Sequence, residues 1–200
     1  MKNRKETFQY ERLPFYGRLS LKLGNRVVLK NLKKGNWLDI LCGYEAKLQS
    51  SQINNKQITQ FFCLDHRLDQ GLLKNKFIKK EFYIVDTLPY KDNLFDNITI
   101  INGLEHLLYP QNILKECHRI LKKEGNLQII VPTWFGKPIL EFLAFKLKHK
   151  QAFIEMNDHK MYYDEKTLWP MLVEAGFKPQ NIKLKRIKFY CSLYAIAKKI

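Results

Sequence analysis

Glu105 and His106 stand side by side just after an apolar run at Ile98, Ile100 and Ile101, where a strand would give way to a turn. A histidine there titrates near neutrality and can take a proton from a substrate, with Glu105 orienting it or the acceptor. A cap or packing role in the Leu104-Glu105-His106 turn fits the same residues. As metal ligands the two are adjacent and lack a third partner, so no metal is expected. Further along, Asn157-Asp158-His159-Lys160-Met161-Tyr162-Tyr163 sets a histidine and paired tyrosines in an expected loop, where substrate contacts concentrate. His159, Tyr162 and Tyr163 are therefore the substrate-side candidates; core cover by the tyrosines and a surface role for His159 are the alternative. Trp134, Phe135 and Phe142 can wall an acceptor pocket, although core packing is the expected role for each.

A second group lies upstream. Trp37-Leu38-Asp39-Ile40-Leu41-Cys42-Gly43 is an apolar strand with an inset carboxylate that runs into a glycine turn. Glycine there lets backbone approach a ligand closely, and the helix it opens carries partial positive charge at its start. Leu41 resists a positive φ, and Glu45 brings negative charge to the same turn. Asp65 and Asp86 each follow an apolar run, at Phe61–Leu64 and Phe82–Val85, and Asn102 ends the run that precedes Glu105. Asp96 is expected to position its strand.

These candidates need a frame. Leu19, Leu23, Val27 and Leu32 predict a helix over about 18–33 with one packing face. Apolar runs at 37–41, 61–64, 82–85, 98–101 and 127–131 alternate with helical stretches at 44–53, 111–122, 137–149 and 165–175, the last closed by Gly176. Pro110 sits where a helix begins, and Ile113, Leu114, Cys117, Ile120 and Leu121 form its stripe. This alternation predicts a parallel sheet covered on both faces. The tail differs: Ile182, Leu184, Ile187 and Phe189, then Leu193, Ala195 and Ala197, read as an antiparallel hairpin. A basic lead-in, 1–35, precedes a single domain over 36–200. Such sheets bind ligands at the carboxyl ends of their strands, where the candidates fall.

The ordered set of Asp39–Gly43, Asp86 with Leu88-Pro89-Tyr90, Phe95-Asp96, Leu104-Glu105-His106, the Lys-Lys-Glu-Gly turn at 122–125 and the strand stopping at Pro132 resembles a class I S-adenosylmethionine-dependent methyltransferase of the small type-11 group. The resemblance covers roughly residues 35–198. It implies an α/β, Rossmann-like doubly wound, mostly parallel sheet with a C-terminal antiparallel hairpin strand, and S-adenosyl-L-methionine as cofactor. It implies a cofactor set of Asp39, Leu41, Gly43, Asp65 at the ribose hydroxyls, Asp86 at the adenine amino group with Thr87 beside it, and Asn102. The family pattern acidic-x-Gly-x-Gly-x-Gly has Leu41 and Glu45 in place of two glycines here. The acceptor implied is a small molecule, sugar or glycolipid. A decayed methyltransferase fold that only binds, or an RNA methyltransferase, is the alternative.

Composition bounds these readings. Lys and Arg total 35 against 19 Asp and Glu, a net charge of +16, carried by scattered lysines. Solvated faces explain that balance, as does an anionic partner such as nucleic acid or a membrane surface; no RNA-binding motif is visible. No run nears the roughly 18 apolar residues of a membrane span. Met1–Glu6 lacks the apolar centre of a secretory signal, and Cys42, Cys63, Cys117 and Cys191 form no metal or disulfide framework, so cytoplasmic residence is expected. No G-x-G-x-x-G follows the first strand, which argues against a nicotinamide enzyme.

Overall fold

Among the described residues the chain forms seven strands, the central ones on apolar runs rich in isoleucine, leucine and phenylalanine: β1 Gly35–Ile40, β2 Ile58–Asp65, β3 Phe77–Glu81, β4 Phe95–Ile101, β5 Leu121–Pro132, β6 Ile182–Ile187 and β7 Ser192–Lys198. The computed structural model describes residues 15–69, 77–81, 87–146, 153 and 156–200. Residues 1–14, the expected strand over 82–85 and the candidate Asp86 lie outside the described residues, as does the end of the expected helix over 137–149.

The strands make one sheet in the order β3-β2-β1-β4-β5-β7-β6. Pairing is parallel from β3 through β5 and antiparallel at β5–β7 and β6–β7. The expected doubly wound sheet with a terminal hairpin is what the chain adopts. Strand order reverses between β1 and β4, so their carboxyl ends flank the crevice where such sheets hold ligands.

Alternation along the strands feeds two apolar layers. Leu38, Ile40, Ile98, Ile100, Leu127 and Ile129 pack in one core with Ile113, Leu114, Cys117 and Ile120 of α3 (Pro110–Ile120). The same core takes Leu168 and Leu172 from the helix Glu165–Glu174. That helix starts on a capping box in which Asp164 accepts from the Thr167 amide and Thr167 accepts from the Asp164 amide. On the opposite face Trp37, Phe61, Cys63, Ile130 and Tyr194 cluster with Val28 of α1 (Phe15–Lys30) and with Leu48 of the short α2 (Lys47–Ser50). Among the described residues no helix is long and apolar enough to cross a membrane.

Several boundaries depart from the expected ones. The strand through Phe189 stops at Ile187 because Lys188, Phe189 and Tyr190 all take positive φ, which extended pairing does not permit. The Lys-Lys-Glu-Gly turn falls within the span of β5 as an interruption of its ladder, since pairing with β4 passes from Leu121 to Asn126 and Glu124 has φ 67°. β3, with Lys79 and Lys80 inside it, lacks the apolar continuity that would have marked it. The helix over 44–53 shrinks to Lys47–Ser50, and Lys137–Glu141 (α4) passes into a π-helical turn over Phe142–Lys146.

Gln49 ties α2 to the sheet. Fully buried, its amide donates to the carbonyls of Trp37 at 3.1 Å and Phe62 at 3.2 Å, and its oxygen accepts the Cys63 thiol at 2.7 Å. Replacing it strands buried partners, so Gln49→Ala is expected to cost about 1–3 kcal/mol in urea unfolding. A loss within the scatter of surface substitutions would refute that role.

Candidate active site at the carboxyl ends of β1 and β4

β1 ends by turning left-handed. Leu41 has φ 56° and Gly43 φ 75°, so a leucine holds a conformation that costs a branched-chain residue about 1–2 kcal/mol. The turn is pinned to β2: the Leu41 amide donates to the Leu64 carbonyl at 2.8 Å, and the Gly43 amide to Asp65 Oδ2 at 2.8 Å. Asp65 is nearly buried, and its other oxygen accepts the His66 amide and faces the His66 ring.

The Leu41 side chain leans across the strand reversal onto Gly103. A Cβ placed on Gly103 would lie 2.8 Å from Leu41 Cβ and 2.9 Å from Cδ1, so the absence of a side chain at 103 is what makes room for leucine at 41. A Cβ placed on Gly43 meets nothing within 4 Å. The leucine therefore does not fill the space over the glycine. Glu45 is exposed and paired with Lys47 at 3.0 Å. Asn102, with φ 49°, is held by its amide bond to the Ile130 carbonyl at 2.8 Å.

Asp39 faces the other side of β1. Strand register sets it beside Thr99, whose hydroxyl donates to Asp39 Oδ1 at 2.5 Å and accepts Trp37 Nε1–H at 2.9 Å. Burial pushes the Asp39 carboxyl up to about 7; the Thr99 bond pulls it back, and the Asp65 charge adds to the rise. Cys42, beside Cys63, is pushed up by its hydrogen bond to that thiol and by burial.

The acceptor-side candidates converge although more than 50 residues separate them in the chain. Leu104–His106 forms a 3-10 turn directly after β4. The distant loop docks on it: the Lys160 amide donates to the Glu105 carbonyl at 2.7 Å, the Tyr163 hydroxyl to the Leu104 carbonyl at 3.2 Å, and the Tyr163 amide to the Pro132 carbonyl at 3.0 Å. The rings of His106 and His159 then stand 5.1 Å apart. His106 Nδ1 lies 2.9 Å from Asp158 Oδ2, and His159 Nδ1 lies 3.1 Å from the Tyr162 hydroxyl. Lys160 Nζ is 3.6 Å from the other Asp158 oxygen. Burial and the neighbouring His106 push His159 down to about 4, with Asp158 opposing. Burial, with the Glu141 and Glu105 charges, raises Tyr162 to about 12.

Asp39, Leu41, Gly43, Asp65 and Asn102 thus gather at the strand reversal, and Glu105, His106, His159 and Tyr162 gather beside it. Tyr163 is fully buried and anchors the loop through backbone and hydroxyl. Thr87 is exposed on the segment before Leu88. Trp134, Phe135 and Phe142 do not pack in the core as expected. They are 54%, 56% and 55% exposed, with the Trp134 ring tilted against Tyr162 at 5.4 Å between centroids. Asp96 plays its expected positioning part, accepting the Asn36 amide and Lys122 Nζ, each at 2.8 Å.

Sequence reasoning does not single out Thr99, Asp158 or the fit of Gly103 to Leu41. Thr99 sits within an apolar strand, and only inter-strand register pairs it with Asp39. Asp158 had one available signal, its place next to His159.

A family model described as methyltransferase domain matches residues 9–182. The chain is 26% identical over 148 residues to a ubiquinone/menaquinone biosynthesis C-methyltransferase from Neisseria gonorrhoeae, covering 68% of this chain and 58% of that protein. A protein of the same name from Ectopseudomonas mendocina is 29% identical over 129 residues, covering 57% of this chain and 49% of its own. The chain thus spans about half to three-fifths of the length of these relatives. Among solved structures, a Haloferax volcanii methyltransferase in complex with the Trm112 activator superposes with TM-score 0.67 at 13% identity, covering 92% of both chains. A SAM-dependent methyltransferase from Thermotoga maritima gives 0.65 at 16%, covering 96% of this chain and 94% of its own.

Two outcomes follow from this geometry. Between about pH 4 and 7 the folded protein keeps a proton on Asp39 that the unfolded chain has released, so this group's contribution to stability falls as pH rises through that window. Asp39→Asn should flatten the fall, read from urea midpoints at about pH 4.5 and 7.5; an unaltered slope would show the carboxyl titrates normally. Gly103→Ala should cost about 1–3 kcal/mol by overpacking against Leu41, and much of that loss should disappear in a Leu41→Gly background. Strict additivity of the two changes would contradict the contact.

Proposed function

The chain belongs to the methyltransferase domain family and is, by family and fold, a class I S-adenosylmethionine-dependent methyltransferase; from that premise we propose that it methylates a small-molecule acceptor bearing an ionisable hydroxyl. The single observation that carries this is the open face of Gly43, with the Asp65 carboxylate aimed at its amide and the Leu41 side chain turned away onto Gly103.

The residues present fit the donor. Gly43 offers unobstructed backbone, where a Cβ would meet nothing and a positive φ would strain any side chain. Asp65 presents a nearly buried carboxylate suited to a pair of ribose hydroxyls, and Asn102 brings the β4 backbone to the same crevice. When bound, S-adenosylmethionine supplies an electrophilic methyl group on a sulfonium.

On the acceptor side His106 receives the hydroxyl proton, and the Asp158 carboxylate, 2.9 Å from its Nδ1, stabilises the imidazolium that forms by its charge. Glu105 and His159 bound the same space, and Trp134, beside Tyr162, offers an apolar wall that suits a lipid-bearing or aromatic acceptor. We favour a sugar or glycolipid hydroxyl for attack through oxygen. The C-methyltransferase relatives, named for ubiquinone and menaquinone biosynthesis, support attack through carbon. Either acceptor becomes a better nucleophile on losing a proton. The docking of Leu41 on Gly103 and the pairing of Glu45 with Lys47 support cofactor binding over a decayed fold that departs from the family pattern at those two positions.

Calorimetry with S-adenosylmethionine is expected to give one site per chain, weakened about tenfold or more in Asp65→Ala. No heat at high protein concentration would overturn the reading. His106→Ala should keep cofactor binding yet lose about 10²–10⁴ in rate. The readout is S-adenosylhomocysteine release across phenolic lipids and glycolipids. Wild-type turnover by that variant would remove the assigned base.

A further inference from the structure

In sequence Glu105 and His106 lack a third metal ligand; the fold supplies one. One ligand atom each from Glu105, His106 and His159 falls within 4.8 Å of the other two. We propose that these three side chains form a binding site for a divalent first-row transition ion, with two imidazole nitrogens and one carboxylate oxygen as ligands.

Three features of the structure point this way. The first is the donor set, because two histidines and a carboxylate make a three-ligand site with positions left for water or substrate, common to zinc and non-haem iron centres. The second is the surroundings of the rings. Histidine ligands are ordinarily oriented by an outer partner at their other nitrogen. Here the His159 Nδ1 meets the Tyr162 hydroxyl at 3.1 Å, and the Asp158 carboxylate stands 2.9 Å from the His106 Nδ1, where a turn of the ring would align the two. The third is rigidity. Glu105 is 1% exposed, and the loop bearing His159 is fixed to its turn by the Lys160–Glu105 and Tyr163–Leu104 bonds. Bonds of about 2.0–2.2 Å to one ion set ligand atoms about 3–4 Å apart, so ring adjustments of about an ångström close the site.

The site goes beyond methyl transfer and does not require it. Its position beside the acceptor wall gives a bound dication one natural task, polarising an acceptor oxygen so that it loses its proton more readily. His106 would then serve as a ligand, and the proton would pass from an oxygen already acidified by the ion.

Cobalt(II) is the probe, added to the untagged full chain without S-adenosylmethionine. The expected result is one cobalt per chain, with weak visible d–d bands, no thiolate-to-cobalt charge transfer, and displacement by zinc. Glu105→Gln and His159→Ala should each weaken binding by at least about tenfold, and Asp158→Asn by about 10-fold, as lost outer partners do. Circular dichroism and S-adenosylmethionine calorimetry on each variant exclude unfolding as the cause. No cobalt bound at about millimolar concentration, unchanged affinity in a folded His159→Ala chain, or a thiolate band from Cys42 would each overturn the site. Cobalt binding without S-adenosylmethionine binding would sink the methyltransferase proposal and leave this one standing; the reverse would do the opposite.

Discussion

The contact between Leu41 and Gly103 is the constraint on which the crevice depends. β1 and β4 lie side by side at the reversal of strand order, and whatever follows them must share one small space. A leucine in a left-handed conformation would ordinarily project into it. Here the side chain lies on a glycine of the neighbouring strand's exit, and the backbone at Gly43 stays open. Strain at Leu41 is offset by its packing and by amide bonds to the end of β2. The missing glycine of the turn is thus compensated by a glycine more than 60 residues away.

A second constraint organises the acceptor side. The loop over 157–163 gains its place through backbone bonds to the exits of β4 and β5, so His159 is held by the same framework that ends the strands. The Tyr162 hydroxyl then fixes the His159 ring, and Asp158 places a carboxylate beside His106. Groups tied to rigid strand ends in this way hold their spacing, which both general-base and metal-ligand roles demand.

Charge plays a different part. The net charge of +16 contrasts with the described site, which gathers Asp65, Glu105 and Asp158 with Lys160 as a neighbouring cation. The crevice is locally acidic within a basic chain. That arrangement suits a cationic sulfonium or a metal ion within, while the surrounding lysines act on anionic partners at longer range.

Local pattern settled much of this protein. Alternating strands and helices, Pro110 at a helix start, Gly176 at a helix end and the period-two tail each report a backbone preference of neighbouring residues, which sequence carries directly. The acidic residues at strand ends, and Leu104-Glu105-His106 after β4, were legible for the same reason. Tertiary structure alone decided the rest. Whether Leu41 blocks the crevice depends on Gly103, whether Asp39 is charged depends on Thr99 across the sheet, and whether His106 has company depends on where residues 157–163 dock. Each is a contact between segments far apart in the chain, fixed by strand register and packing, and no local propensity encodes it.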